Sequence, residues 1–140
     1  TVPGTDGAKM SKSYNNTIDI FCDEKTLKKR VNQIVTDSTP VEDPKDPEKC
    51  NVYAISKLFY SADELEALKA RYAKGGEGYG VYKAELKEKI WSYFEPYREK
   101  REYYLNHKDE VRDILKSGAQ KARNKAMPII EKIRTATGII

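Results

Sequence analysis

The residues best suited to chemistry lie in one short segment near the start of the chain. Residues 9–13 read Lys-Met-Ser-Lys-Ser and follow a stretch rich in glycine, proline and aspartate, which predicts a loop. Two lysines three residues apart can place ammonium groups around a polyphosphate, while the Ser11 and Ser13 hydroxyls and the loop N–H groups donate to its oxygens. Lys9 and Lys12 are therefore candidate phosphate-binding residues.

Such a loop would assist the departure of pyrophosphate from a nucleotide. Negative charge grows on the leaving group, and cations lower the barrier if they are aimed at that charge in the transition state. Flexible lysines on a loop that closes over bound nucleotide meet this requirement. The segment is not a Walker A loop, because GxxxxGK[ST] is absent. On the residues alone, a disordered tail rich in lysine and serine is the alternative.

The wider context of the loop resembles a known motif. Residues 4–18, Gly-Thr-Asp-Gly-Ala-Lys-Met-Ser-Lys-Ser-Tyr-Asn-Asn-Thr-Ile, are similar to the second ATP motif (KMSKS) of class I aminoacyl-tRNA synthetases, in the form typical of tryptophanyl enzymes of bacterial type. Bacterial tyrosyl enzymes share such loops but usually carry a different C-terminal RNA-binding module. The resemblance continues downstream through residues 36–38, residues 78–80 with Lys83, residues 118–123, Ile133-Arg134 and Gly138.

The resemblance implies both an activity and partners. The parent enzyme is expected to activate tryptophan with ATP, release pyrophosphate and transfer the amino acid to tRNA(Trp). ATP would enter with Mg²⁺ as a substrate, and the parent is expected to be a homodimer. The family's upstream Rossmann-type domain does not precede the loop here, so we expect a C-terminal fragment that is inactive alone. Lys9 and Lys12 are the expected catalytic residues, and the expected ATP-binding set is Lys9, Met10, Ser11, Lys12 and Ser13.

Beyond the loop, every periodic stretch is helical. The first helix is predicted to follow Asp23, a good N-cap, and to stop at residues 37–40. Residues 40–47 are rich in proline and acid and predict a rigid connector, after which Asp46 caps a second helix with Pro47 at its first position. The buried positions are predicted to be Leu27, Val31, Ile34 and Val35 in the first helix, and Val52, Ile55, Leu58 and Phe59 in the second.

Three further helices are predicted. Ser61 and Glu64 stand at capping-box spacing and open a third helix that ends at Gly75-Gly76, with Leu65 and Leu68 facing inward. A fourth follows Gly80, and Pro96 should kink or break it; its expected inner side comprises Leu86, Ile90, Trp91, Phe94 and Tyr97. The fifth covers about 108–137 despite Pro128, with an apolar face of Val111, Leu115, Gly118, Ala122, Ala126, Ile129 and Ile133.

The expected fold class is all-α, since no set of strands is large enough for a sheet. We expect a helical bundle of the anticodon-binding type preceded by a KMSKS loop segment. The predicted boundaries are 1–22 for the loop segment left from the catalytic domain and 23–140 for the helical tRNA-binding domain. The first sixteen residues are expected to be mobile because their usual packing partner is missing.

The charge is concentrated at the C-terminal end. The chain carries 26 Lys and Arg against 22 Asp and Glu, a net charge of +4. The segment from residue 108 onward contains eight basic and four acidic residues. This asymmetry indicates an anionic partner, although an ordinary solvated helix face gives the same pattern. With the resemblance, the candidate tRNA contacts are Arg112, Lys116, Lys121, Arg123 and Arg134.

Several other classes of function are excluded by composition. No run of about 18 apolar residues is present, which argues against a transmembrane helix. Cys22 and Cys50 stand apart without a CxxC pair, and His107 is the single histidine, so no protein-bound metal is expected. Two thiols in a lysine-rich chain favour the reducing cytoplasm. The competing hypothesis is a stand-alone helical module that binds RNA or protein and has a basic N-terminal tail.

Overall fold

The computed structural model describes residues 1–139, and its regular structure is helical. No strand occurs in that range, and the single β-bridge joins Pro3 to Lys9. The all-α expectation is thus confirmed. Two 3-10 turns cover Lys12–Tyr14 and Pro47–Lys49, and the α-helices are α1 (Glu24–Asn32), α2 (Asn51–Ser56), α3 (Ala62–Lys74), α4 (Tyr79–Tyr93), α5 (Glu95–Asn106) and α6 (Lys108–Thr137).

The helices begin where the sequence supplies capping groups. The Asp23 carboxylate accepts a hydrogen bond from the Thr26 N–H at the start of α1. At the start of α3, the Ser61 hydroxyl accepts from the Glu64 N–H while the Glu64 carboxylate accepts from the Ser61 N–H. These bonds satisfy N–H groups that have no partner inside a helix. Both predicted starts are therefore confirmed.

Pro96 and Pro128 have different effects on the helices that contain them. Pro96 occupies the second position of α5, and α4 has already ended at Tyr93. A proline in the first turn of a helix loses no hydrogen bond, so it can begin α5 where it could not continue α4. The expected break is confirmed. Pro128 lies inside α6 and does not end it, also as expected.

Contacts divide the chain into two compact units, Thr1–Pro96 and a second that begins at Tyr97. In the first unit, α4 packs against α1 and α2. Burial of apolar side chains between these helices is the main force that stabilises the unit, at about 25 cal/mol per Å² of apolar surface removed from water. The buried core consists of Leu27, Val31, Ile34, Cys50, Val52, Tyr53, Ile55, Leu68, Tyr72, Tyr82, Leu86 and Ile90.

Tyrosines and one arginine join α3 to α4 within the first unit. The rings of Tyr72 and Tyr82 stack with centroids 4.1 Å apart, and both residues are buried. Next to them, the Arg71 guanidinium donates to the carboxylates of Glu77 and Glu85 at 2.6–3.0 Å. The two carboxylates raise the pKa of Arg71 above its usual range, so it stays charged at any practical pH.

The connector between α1 and α2 is organised around a buried lysine. The Lys45 ammonium donates to the carbonyl oxygens of Pro40, Val41 and Asp43 at 2.9–3.2 Å, and its side chain stem is buried. Three carbonyl acceptors match the three protons of an ammonium group. This arrangement folds the proline- and acid-rich segment into an ordered connector.

Several predicted positions in the first unit are wrong because the helices are shorter than expected. α1 ends at Asn32 rather than near residue 37, so Val35 lies beyond it and is 54% exposed. The second helix begins with a separate 3-10 turn and ends at Ser56, which leaves Leu58 46% exposed. Just beyond the first unit, Tyr97 follows the break at Phe94 and is also exposed rather than on the inner side. Phe59, Leu65, Trp91 and Phe94 are half-buried against the core.

The second unit consists of most of α5 together with α6, joined at His107. The Tyr103 ring stacks on the His107 ring at 4.0 Å, and the Tyr103 hydroxyl donates to the Glu110 carboxylate at 2.9 Å. The predicted bounds of α6 are confirmed, but its apolar face is not buried. Leu115 is 66% exposed and Ile129 61% exposed.

Candidate functional site

The KMSKS segment is folded into a closed loop rather than a loose tail. Its two sides meet in the bridge between Pro3 and Lys9. Backbone hydrogen bonds run from the Gly4 N–H to the Ala8 carbonyl at 2.7 Å and from the Met10 N–H to the Val2 carbonyl at 2.9 Å. These bonds hold residues 2–10 as a narrow hairpin-like turn that leads into the lysine-bearing residues.

One buried side chain, Asn16, lies inside this loop. Its amide oxygen accepts from the Ser11 N–H at 2.7 Å, and its amide nitrogen donates to the Lys9 carbonyl at 3.0 Å and to Asp6 at 2.8 Å. The Asn16 carbonyl also accepts from the Thr5 N–H at 2.9 Å. A single residue thus joins the beginning, middle and end of the loop.

The loop is also attached to the helices behind it. The Val35 N–H, just beyond α1, donates to the Thr5 carbonyl at 2.8 Å. Arg30 of α1 donates to the Asn15 side chain at 2.8 Å, and Asn51 of α2 donates to the Val35 carbonyl at 2.9 Å. These contacts do not fit the expectation that the first sixteen residues are loose, because the helical unit itself supplies a packing partner.

Lys9 and Lys12 project from this framework into solvent. Both side chains are exposed, and neither ammonium group makes a hydrogen bond or ion pair with any residue in the range 1–139. Lys12 opens the 3-10 turn Lys12–Tyr14, which Ser11 caps by accepting from the Ser13 N–H at 3.3 Å. Two unneutralised cations on a fixed backbone are what a bound polyphosphate requires.

The loop N–H groups contribute less to this site than expected. Those of Met10, Ser11 and Ser13 already donate within the chain, to Val2, Asn16 and Ser11 respectively. The prediction that these N–H groups donate to phosphate is wrong in this conformation, since each has one proton to give. The candidate phosphate donors that remain include the lysine ammonium groups and the Ser11 and Ser13 hydroxyls.

Met10 lines an apolar cleft of about 280 Å³ within the first unit. The cleft lies among the loop, the end of α2 and α4. The exposed Leu58 and the half-buried Phe59 both line this cleft. The remaining lining residues are Val2, Ile18, Ile20, Ile55, Ile90, Tyr93 and Phe94.

The candidate tRNA contacts all lie on the exposed surface of α6. At about 100° per residue, Arg112, Lys116, Arg123 and Arg134 share one stripe and Lys121 lies on another. Arg112 forms an ion pair with Asp109 at 2.7 Å. The side chains with no acidic partner among the described residues are Lys116, Lys121, Arg123 and Arg134.

Residues 1–139 contain neither a metal-ligand cluster nor a helix that could span a membrane. No group of three or more His, Cys, Asp or Glu side chains in that range could hold a metal ion. No helix within it combines the length and the apolar character needed to cross a membrane.

The folded loop and its paired lysines agree with the family that the sequence matches. The profile described as "tRNA synthetases class I (W and Y)" matches residues 1–95, which is more than half of the chain. The chain belongs to this family. The shared region includes the whole loop and the helices of the first unit.

The similar individual proteins include tryptophan–tRNA ligases. The chain is 52% identical over 138 residues to the tryptophan–tRNA ligase of Campylobacter jejuni, an alignment that covers 99% of this chain and 43% of that relative. A crystal structure of the Campylobacter jejuni tryptophanyl-tRNA synthetase superposes with a TM-score of 0.93, covering 99% of this chain and 45% of the other. A second crystal structure of that enzyme, complexed with ADP and tryptophan, superposes with a TM-score of 0.92. It covers 98% of this chain and 43% of the other.

The chain therefore spans less than half the length of the relatives it matches. It corresponds to the helical C-terminal part of those enzymes. The resemblance inferred from the KMSKS segment is confirmed.

Proposed function

We propose that this chain is the C-terminal part of a tryptophan–tRNA ligase and supplies the loop that holds the ATP polyphosphate during tryptophan activation. The observation that carries the proposal is the projection of Lys9 and Lys12 from a hydrogen-bonded loop, with neither ammonium group neutralised among residues 1–139. Lysines in such a position are available for an anionic ligand.

The chemistry assigned to the loop concerns the leaving group. A carboxylate oxygen of tryptophan attacks the α-phosphorus of ATP, the bond to the bridging oxygen breaks, and the electron pair leaves with pyrophosphate. Lys9 and Lys12 stabilise that charge, which is larger in the transition state than in bound ATP. Mg²⁺ enters with ATP as part of the substrate. The Ser11 and Ser13 hydroxyls add donors, and Met10 anchors the loop in the apolar cleft.

The second part of the proposal concerns tRNA. We assign residues 1–22 to the catalytic site and residues 23–140 to the tRNA-facing side of the enzyme. The cations of α6 support phosphate contacts, because long exposed basic side chains neutralise a nucleic acid backbone and release its counterions. The proposed contacts to tRNA(Trp) are Arg112, Lys116, Lys121, Arg123 and Arg134.

For the whole enzyme we propose a cytoplasmic homodimer. Its tRNA substrate supports the location, and two cysteines with no CxxC pair suit a reducing compartment. The competing hypothesis of a stand-alone helical module with a basic tail is not favoured, because the N-terminal segment is an ordered loop within the region shared by the synthetase family.

Tryptophan-dependent exchange of labelled pyrophosphate into ATP tests the proposed substrate. The full-length enzyme that contains this chain should catalyse exchange with tryptophan and not with tyrosine, the other amino acid of the family. Exchange that depends on tyrosine, or no exchange with either amino acid in a folded enzyme, would overturn the proposal.

A further inference from the structure

We propose that Asn16 is the positioning residue of the ATP loop, because its buried carboxamide fixes the backbone on both sides of Met10 and so sets where Lys9 and Lys12 point. The inference deepens the proposed function of the loop and rests on it. Asn16 itself is not a catalytic residue, since its side chain faces the inside of the loop and only 2% of the residue is exposed.

The carboxamide has a partner for each of its functional atoms. The oxygen accepts from the Ser11 N–H, and the two protons of the nitrogen go to the Lys9 carbonyl and the Asp6 carboxylate. A buried polar group that is fully paired in this way rigidifies its surroundings. The hydrogen bond from Asn16 also lowers the pKa of Asp6.

An asparagine carboxamide supplies the acceptor and both donors that these contacts use. An aspartate would keep the acceptor for Ser11 but would set oxygen against oxygen at Lys9 and at Asp6. The loop is also closed tightly around the side chain. A Cβ atom added at Gly4 would lie 2.3 Å from the Asn16 amide nitrogen, so Gly4 allows the approach.

The bonds act on the two groups that carry the lysines. The Lys9 carbonyl and the Ser11 N–H border Met10, and Asn16 holds both through one rigid amide plane. Ser11 in turn caps the 3-10 turn that Lys12 opens. Without the carboxamide, the backbone of residues 9–11 keeps the Met10 bond to Val2 and the bond that the Ser11 carbonyl accepts from the Tyr14 N–H. Both ammonium groups would then sample a wider range of positions over the phosphates.

The test uses the full-length enzyme carrying Asn16→Ala, with Asn32→Ala as the matched control. Asn32 is an exposed asparagine at the end of α1. Asn16→Ala should lower the rate constant of tryptophanyl-adenylate formation by about 10- to 100-fold, the usual consequence of misplacing a catalytic group by about 1 Å. Tryptophan affinity should stay unchanged, and Asn32→Ala should match the unmodified enzyme in both measurements.

A double-mutant cycle separates positioning from general destabilisation. If Asn16 acts through the lysines, Asn16→Ala should cost less than about threefold in an enzyme that already carries Lys9→Ala and Lys12→Ala. An undiminished effect of Asn16→Ala in that background would overturn the proposal, as would a normal rate for Asn16→Ala alone. Should Asn16→Ala fail to fold, the near-isosteric Asn16→Asp replaces it under the same criteria, since it also lacks the donor.

A readout other than activity keeps this inference distinct from the proposed function. In the enzyme carrying Asn16→Ala, hydrogen exchange at the Ser11 amide should accelerate at least tenfold while exchange in α4 is unchanged. Normal rates in Lys9→Ala and Lys12→Ala would count against the proposed function of the loop. Unchanged Ser11 exchange, with those lysine variants impaired, would count against the role of Asn16 alone.

Discussion

At the scale of single residues, the loop combines groups that sequence can identify with one that it cannot. The spacing of Lys9 and Lys12 indicates phosphate chemistry without any structure. Asn16 gives no such signal, because its partners Asp6 and Ser11 come together only once the bridge between Pro3 and Lys9 has closed. Asn16 is not among the site residues predicted from the sequence, yet it lies at the centre of the loop.

The glycine pair that ends α3 gives a prediction at this scale. Gly75 has φ +70° and ψ −169°, and an added Cβ would lie 2.5 Å from the Glu42 carbonyl oxygen; Gly76 has φ +86° but open space around it. Gly76→Ala should lower the free energy of unfolding by about 1 kcal/mol through backbone strain alone. Gly75→Ala should cost more than about 2 kcal/mol, since it adds a clash with backbone. Denaturant unfolding followed by circular dichroism checks both, and equal losses would contradict the structure.

At the scale of helices, starts were predictable and ends were less so. Capping groups are local, so Asp23 and Ser61 mark the starts of α1 and α3 in the sequence. The ends of α1 and α2 have no comparable signal. Both helices stop because the chain turns to meet the loop and the cleft, as the hydrogen bond from Val35 to Thr5 illustrates. The spacing of apolar residues does not reveal tertiary contacts of this kind, so it does not show where these helices end.

The capping box of α3 predicts a measurable loss. Ser61→Ala removes the hydroxyl that accepts from the Glu64 N–H and should lower the free energy of unfolding by about 1 kcal/mol. Ser117→Ala, on the exposed surface of α6, is the matched control and should leave stability within about 0.5 kcal/mol of the unmodified chain. Chemical denaturation of both variants provides the comparison. A loss at Ser117 as large as that at Ser61 would argue against the cap.

The cations of α6 predict a salt-dependent effect on tRNA. In the full-length enzyme, Lys116→Gln combined with Arg123→Gln should weaken binding of tRNA(Trp) and reduce the slope of log affinity against log salt by roughly one unit per lost phosphate contact. Tryptophan activation without tRNA should be normal. Lys25→Gln with Lys28→Gln, which removes the same charge from α1, serves as the control. Unchanged affinity and slope would mean that the basic stripe containing Lys116 and Arg123 is an ordinary solvated surface.

In the molecule as a whole, the sequence predicted the fold class but not which apolar faces are buried. The apolar positions of α6 follow a regular helical spacing, yet Leu115 and Ile129 are exposed. Periodicity identifies a face without identifying what covers it. The described residues of this chain do not bury that face of α6. The chain spans 43% of the length of its Campylobacter jejuni relative.

Buried tyrosines predict how stability depends on pH. Burial raises the pKa of Tyr72 above its usual range and that of Tyr82 to about 12. Since unfolded tyrosines ionise near pH 10, the folded chain holds more protons above that pH, and the free energy of unfolding should fall as pH rises from 10. Below pH 10 these groups add no slope. Tyr72→Phe should make the fall shallower by about 1.4 kcal/mol per pH unit. Guanidinium unfolding at pH 8, 10 and 11 tests this, and an unchanged slope would contradict it.

The isolated chain is expected to fold without being active. Its helices are capped and the first unit has its own core, so circular dichroism should show a helical spectrum that melts cooperatively. It should nevertheless support no tryptophan-dependent pyrophosphate exchange, because it spans less than half of the enzymes it resembles. A spectrum dominated by strand, or exchange by the chain alone, would contradict this expectation.

Lys9 and Lys12 are proposed to act on charge that develops at pyrophosphate, and the rate of adenylate formation measures this role. In the full-length enzyme, the single-turnover rate of tryptophanyl-adenylate formation should fall in Lys9→Ala and in Lys12→Ala by a factor equivalent to about 2–4 kcal/mol of transition-state stabilisation. Tryptophan affinity should hardly change, and Lys28→Ala, which removes an exposed lysine from α1, should react at the normal rate. Normal rates of adenylate formation in both loop variants would contradict the account.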